Sequence, residues 1–219
     1  MSPGGQPRVM GHSIERVRVK RTSLMVLGGL AAGYWMRTHP SACPYSLRFV
    51  LRFPRRALAR ERLLEILAPE PGERVLELGP GTGYYTLGVA AALDGGTLDI
   101  FDISQEFLDD LVRKARDQGI DNITATQGDA RALPYGDDTF DAAYLVAVLG
   151  EIPDEDAALR ELVRVLRPGG RLVVGESLAS GDPHAVLFGK LRSRGEHAGF
   201  TLEDRQGGPL AYFARFRIP

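Results

Sequence analysis

The run Glu77-Leu78-Gly79-Pro80-Gly81-Thr82-Gly83-Tyr84 sets a carboxyl group just ahead of three glycines at alternate positions. Two further acids follow, Asp102, 23 residues beyond Gly79, and then Asp129. Glycine has no Cβ, so a glycine turn between a strand and a helix brings backbone N–H groups close to a ligand. An acidic residue that closes the next strand can accept hydrogen bonds from both hydroxyls of a ribose. The chemistry implied is capture of a nucleoside-bearing cofactor. Dinucleotide sites use G-x-G-x-x-G/A, and its third small position is here taken by Tyr84, whose ring would block close helix–strand packing.

These groups need strands and helices to hold them. Arg74-Val75-Leu76 leads as an apolar strand into Glu77, and a helix-like stretch runs from Tyr85 to Leu93. Thr97 to Phe101 closes at Asp102, and Ile123 to Gln127 ends in Gly128-Asp129-Ala130. Phe140 to Val146 reads as a fourth strand; Leu166-Arg167-Pro168-Gly169-Gly170 reads as a helix end and turn before a fifth. Five strand signals alternating with four helical ones describe an open parallel α/β sheet. Residues 199–204 and 210–216 read as two more strands, joined at Gly207-Gly208-Pro209.

Motif, acids, the Asp141-Ala142-Ala143-Tyr144 strand and the Leu166–Gly170 turn together resemble the class I S-adenosylmethionine (SAM)-dependent methyltransferases, over roughly residues 61–219. The resemblance implies a Rossmann-like, seven-stranded, mostly parallel sheet with helices on both faces and a closing C-terminal antiparallel hairpin. It implies SAM as cofactor and S-adenosylhomocysteine as product. Asp102 would hold the ribose, Asp129 the adenine amino group, and the backbone N–H at Ala130 would meet the ring. Amides around Gly81 would cradle the amino-acid tail and Tyr84 would touch the methionine part. Glu77, Gly79, Gly83, Ile103 and Val146 complete the implied set. On the residues alone, Asp102 could instead cap the helix starting near Ser104, and Asp129 could be a turn residue.

Within the family the chain looks most like the ubiquinone/menaquinone C-methyltransferases and bacterial phospholipid N-methyltransferases, which implies a small, lipophilic or anionic acceptor. A soluble phenol, amine or thiol acceptor is the second reading, and a non-catalytic SAM-binding sensor or scaffold the third. Methyl transfer from a sulfonium is an in-line displacement, so the protein mainly aligns the partners, worth roughly 7–11 kcal/mol. A base adds about 10²–10⁴-fold where the acceptor must lose a proton. Acceptor-side groups belong beyond strands four and five. There Glu151 lies near the emerging methyl, Glu176 follows the fifth strand, and His184 is the candidate base. Alternatively, Asp182 caps a helix with Pro183 at its first position and His184 in its first turn.

With 219 residues, 44% hydrophobic and 25% charged, the chain suits one α/β domain plus an extension. One cysteine excludes an internal disulfide framework, and four dispersed histidines give no metal-ligand spacing, so no metal is expected. The net charge of −1 conceals a division. Residues 1–62 hold twelve Lys or Arg against two acids, about +10, leaving fifteen bases and twenty-six acids, about −11, for the rest. Residues 1–60 therefore read as a basic helical extension and residues 61–219 as the methyltransferase domain.

Residues 1–12 are Gly- and Pro-rich and expected to be disordered. The apolar stretch Leu24–Met36 has thirteen residues, short of the roughly twenty a bilayer span needs. With a cofactor made inside cells, the expectation is a cytoplasmic protein, with membrane association open. Between Tyr45 and Arg56 apolar side chains interleave with Arg48, Arg52, Arg55 and Arg56, which share one side of a helix. Such a helix suits a lid over the cofactor, an anionic substrate or an acidic membrane surface. Nucleic acid is disfavoured, since no aromatic-basic RNA-module motif occurs, and the oligomeric state is left open. The membrane reading predicts that the full chain floats with anionic liposomes and that deleting residues 1–56 abolishes flotation. Undiminished flotation of the truncated chain contradicts it.

Overall fold

The computed structural model describes residues 58–178, 182 and 184–219. Expectations for the tail, the apolar stretch and the basic helix concern residues 1–57, outside the described residues. The elements run α1 (Arg60–Leu67), β1 (Arg74–Leu78), α2 (Thr86–Ala92), β2 (Thr97–Asp102), α3 (Gln105–Asp117), β3 (Ile123–Gln127) and β4 (Phe140–Val146). After a 3-10 turn at Leu149–Glu151 come α4 (Glu155–Val165), β5 (Leu166–Ser177), α5 (Phe188–Ala198), β6 (Thr201–Gly207) and β7 (Ala211–Arg217).

The seven strands form one sheet in the order β3-β2-β1-β4-β5-β7-β6. Strands β1 to β5 pair in parallel, while β7 is antiparallel to both β5 and β6, giving the expected closing hairpin. Central strands read as continuous apolar runs because both faces are covered. Val75, Tyr144 and Val173 face one way, under Leu63 and Leu67 of α1, Val89 of α2 and Leu111 of α3. Leu76, Leu145 and Val174 face the other, under Leu159 and Leu162 of α4 and Leu191 of α5.

Four details differ from the sequence expectation. No helix joins β3 to β4. Pro134, Gly136 and two aspartates break the pattern there, and Arg164 pins the loop by donating to the carbonyls of Leu133 (3.0 Å) and Tyr135 (2.7 Å). The Pro-Gly-Gly turn lies within β5: the ladder steps from Phe140↔Leu166 to Ala142↔Arg171, and the residues between form the irregularity. Helix α5 starts at Phe188, not near Pro183, because Asp182 spends its carboxylate on a local turn, accepting from His184 N at 2.8 Å. Leu58 and α1 belong to the core, so the packed part begins before residue 61.

Arg171, buried on β5, holds the end of α1. Its guanidinium donates to both Glu73 carboxylate oxygens at 2.6 Å, to Ala68 O at 2.9 Å and to Leu67 O. Replacing one member of a buried pair leaves the other charge uncompensated, which typically costs about 3–5 kcal/mol. Arg171→Ala is expected to lower the unfolding free energy from urea titration by that order, and Arg171→Lys, which loses the fork, by less.

Candidate active site

The glycine loop reverses the chain at the carboxyl end of β1. Gly79 has φ +65°, and a Cβ there would lie 2.5 Å from Val148 Cγ2, so a side chain is excluded by both conformation and space. Its N–H donates to Phe101 O at 2.8 Å, which brings the end of β2 alongside. Gly83, φ +80°, packs against Leu111 of α3. It therefore serves helix packing and does not line the cavity beneath the loop.

That cavity, about 370 Å³, opens across the carboxyl ends of β1, β2, β3 and β4. It lies where the sheet order reverses between β1 and β4, the switch point at which open α/β sheets bind ligands. Of the residues singled out from sequence, Glu77, Gly79, Gly81, Tyr84, Asp102, Ile103, Asp129, Ala130, Val146 and Glu151 line it. His184 does not: its backbone carbonyl packs against Gly150, behind the 3-10 turn, and the cavity wall is formed without it.

Glu77 is the most constrained of these groups. It is 3% exposed, and Thr86 Oγ1, in the first turn of α2, donates to its Oε2 at 2.6 Å. The buried Tyr144 hydroxyl lies beside the same carboxyl without standard hydrogen-bond geometry. Burial pushes the Glu77 pKa up to about 7, against the Thr86 bond, with the Asp102 charge adding to the rise. Burial also raises Asp102, countered by backbone amides of Ser104, Gly81 and Ile103. Ser104 N donates to Asp102 Oδ1 at 2.8 Å, while Ser104 itself caps α3 by accepting from Phe107 N. Asp102 thus shapes the turn and faces the cavity as well.

Asp129 sits at the exposed edge. Arg131 donates to it through Nε (3.0 Å to Oδ1, 3.1 Å to Oδ2) and Nη2 (2.6 Å to Oδ2), and this pairing holds its carboxyl below the usual range. Tyr84 and Tyr85 meet edge to face, with ring centroids 4.8 Å apart. Tyr85 is buried and donates to Leu58 O at 2.8 Å, whereas the Arg60 guanidinium lies 5.1 Å over the Tyr84 ring and its Nε donates to Tyr84 O.

Sequence reasoning missed several cavity residues. Arg131, Phe107, Ile152 and Pro153 line it, as does Ala147, a non-glycine residue at φ +56° directly after β4. Left-handed backbone at such a residue is strained, and strain of this kind clusters at functional sites. Nothing in the local sequence announces it.

The arrangement suits a cationic, adenine-bearing ligand. Carboxyls at the ends of β1, β2 and β3 face one space, and Ile103, Phe107 and Ala130 offer apolar surface to a flat ring. Residues 75–170 match the family described as "Methyltransferase domain". The fold is shared with a SAM-dependent methyltransferase from Aquifex aeolicus, at TM-score 0.74 and 20% identity over 81% of this chain and all of that one. Residues 75–170 are thus similar to methyltransferase domains, on a fold shared with a SAM-dependent methyltransferase.

Among methyltransferases the chain resembles the ubiquinone/menaquinone biosynthesis C-methyltransferase UbiE. The Shewanella frigidimarina protein is 36% identical over 141 residues, 63% of this chain and 56% of that relative. The Vibrio campbellii protein is 43% identical over 108 residues, 48% and 42% respectively. The chain spans about half the length of these relatives. The [4+2]-cyclase SpnF shares the fold at TM-score 0.65 and 25% identity, over 73% of this chain and 80% of that one.

Two buried carboxyls set a pH dependence. Burial raises Glu77 to about 7 and Glu176, on β5, to about 8; the Val186 amide lowers Glu176, while Asp182, Glu155 and Glu151 raise it further. Unfolded, both ionise near 4.5. Above that pH the folded protein keeps protons that the unfolded chain has released. Stability is therefore fully present below about 4.5 and falls as pH rises through 7 and 8, by up to about 1.4 kcal/mol per pH unit for each group. Glu77→Gln and Glu176→Gln should each flatten the plot of melting temperature against pH in that window. An unchanged slope in both would contradict the burial argument.

Proposed function

We propose that the protein transfers a methyl group from SAM to a small, lipophilic or anionic acceptor of the quinone-precursor or phospholipid type. The observation that carries this reading is the convergence of Glu77, Asp102 and Asp129 on one cavity at the switch point of the sheet. Bound SAM supplies an electrophilic methyl whose leaving group departs neutral. The chain's own residues do the rest. Amides near Gly81 meet the amino-acid carboxylate, Glu77 and Asp102 balance positive charge, and Asp102 accepts from the ribose hydroxyls. Asp129 and the Ala130 amide recognise adenine. Tyr84, Ile103 and Val146 close around the cofactor and exclude water, and Gly79 lets the chain approach.

On the acceptor side Glu151 is the proton-accepting group this reading favours, since it lines the cavity and His184 does not. For a carbon acceptor, the ring carbon that gains the methyl must later lose its proton, and a carboxylate within reach can take it. The similarity to UbiE supports an acceptor of that kind. SpnF's name describes a cyclisation, which favours one alternative: a SAM-binding domain whose cavity has another task.

Calorimetry and product assay separate these readings. SAM is expected to bind and raise the melting temperature, and Asp102→Ala to weaken binding by at least tenfold, the loss of one or two hydrogen bonds to a buried carboxylate. With labelled SAM, label should enter lipid extracts in preference to soluble metabolite pools. No SAM binding overturns the reading, whereas binding without labelled product from either pool favours the alternative.

A further inference from the structure

We infer that Arg131 recognises an anionic group on the acceptor, and that Asp129 withholds Arg131 until the cofactor is in place. The inference rests on the SAM site proposed above and assigns an acceptor class to that site: an organic anion with an apolar body. Among the described residues that line the cavity, the acids are Glu77, Asp102, Asp129 and Glu151, and the one basic side chain is Arg131. Carboxyls turned into a confined space repel an anionic ligand. Arg131 is the place where that repulsion is reversed.

Arg131 is built to be released. Its guanidinium is bonded to Asp129 alone among the described residues, through Nε and Nη2, and Nη1 donates to no group there. Both side chains are about two-fifths exposed, so moving the fork exposes no buried charge. Exposed ion pairs of this kind hold weakly, since water screens them. Asp129 is also the group proposed for the adenine amino function. An amino donor arriving there competes for oxygens that Arg131 now occupies, and frees at least part of the fork. A further charge acting on Arg131 is that of Asp154, the N-cap of α4, next in sequence to Pro153. A freed guanidinium therefore meets a rim that is apolar, with Ile152, Pro153, Val148 and the 56%-exposed Ile103. A planar guanidinium fork matches a carboxylate or phosphate in two-point contact.

The cavity also limits where an acceptor goes. Its volume of about 370 Å³ lies near the lower end for small-ligand pockets and suits one cofactor-sized molecule. The acceptor then engages at the rim, where Arg131 stands. Binding becomes ordered: the cofactor first, the anion second.

Benzoate is a suitable probe, with benzyl alcohol as its neutral counterpart and inorganic phosphate as an anion lacking the apolar body. By calorimetry, protein loaded with S-adenosylhomocysteine is expected to bind benzoate about two- to fivefold more tightly than the free protein, the most that release of a weak exposed pair can give. Asp129→Asn, which unlatches Arg131 without a ligand, should give the free protein the affinity of the loaded one. Arg131→Gln should abolish benzoate binding in both states and leave S-adenosylhomocysteine binding within about threefold, while Arg131→Lys keeps part of it. Benzyl alcohol and phosphate should show no such gain. Benzoate affinity indifferent to Arg131→Gln, or to Asp129→Asn, overturns the inference. Failure of S-adenosylhomocysteine to bind overturns instead the cofactor reading, while the Asp129→Asn comparison in free protein still decides the role of Arg131.

Discussion

A carboxyl group buried at the end of β1 is the constraint on which the site depends. Glu77 lies two residues before the first glycine and Thr86 opens the helix that follows, so their 2.6 Å hydrogen bond clamps the loop at both ends. Breaking it would leave a nearly inaccessible carboxyl without its donor, a penalty of about 1–3 kcal/mol or more. That penalty holds the loop in one shape, together with the bond from Gly83 N–H to Pro80 O at 3.0 Å. Gly79 can then donate to Phe101 O and seat against Val148, so one clamp sets the relative positions of three strand ends.

The cavity follows from topology. From β1 the chain crosses outward to β2 and β3, and then returns to β4 on the other side. The connections leaving β1 and β4 therefore diverge and cannot close over the sheet between them. Acids stand at three of the four strand ends around this crevice, and burial holds two of them above their ordinary pKa. A positively charged ligand reverses that bias, because its field favours the ionised carboxylates that desolvation opposes.

Much of this was legible in the sequence, for a specific reason. Central parallel strands covered on both faces are apolar runs, and Arg74–Leu78, Thr97–Asp102 and Phe140–Val146 lie where the runs place them. The residues singled out for the cofactor stand at or just past strand ends, and there all but Gly83 line one cavity. Where the chain leaves the ladder, local pattern misled. Asp182-Pro183-His184 has the composition of a helix start, yet the turn consumes Asp182 and the helix waits for Phe188. Gly83 shares the motif's spacing but faces α3, since a loop of alternate glycines turns successive residues to different sides. Arg131 was not singled out in the sequence, because only the fold brings it to a cavity lined by acids. Residues 1–57 lie outside the described residues, and the basic helix read there stays an expectation.

The same distinction separates what the fold shares from what it leaves free. Groups at the ends of β1 and β2 are fixed by ladder hydrogen bonds, and any chain with this sheet presents them alike. The acceptor side is held differently. Glu151 rides on a three-residue 3-10 turn that follows a strained Ala147, and Arg131 on a β3–β4 connection without a helix, braced from outside by Arg164. Neither segment is dictated by the sheet, so past Ala130 each can vary with little effect on the strand ends. A cyclase and methyltransferases can therefore share the architecture, and on the reading proposed above the acceptor side falls to residues 131–135 and 147–154.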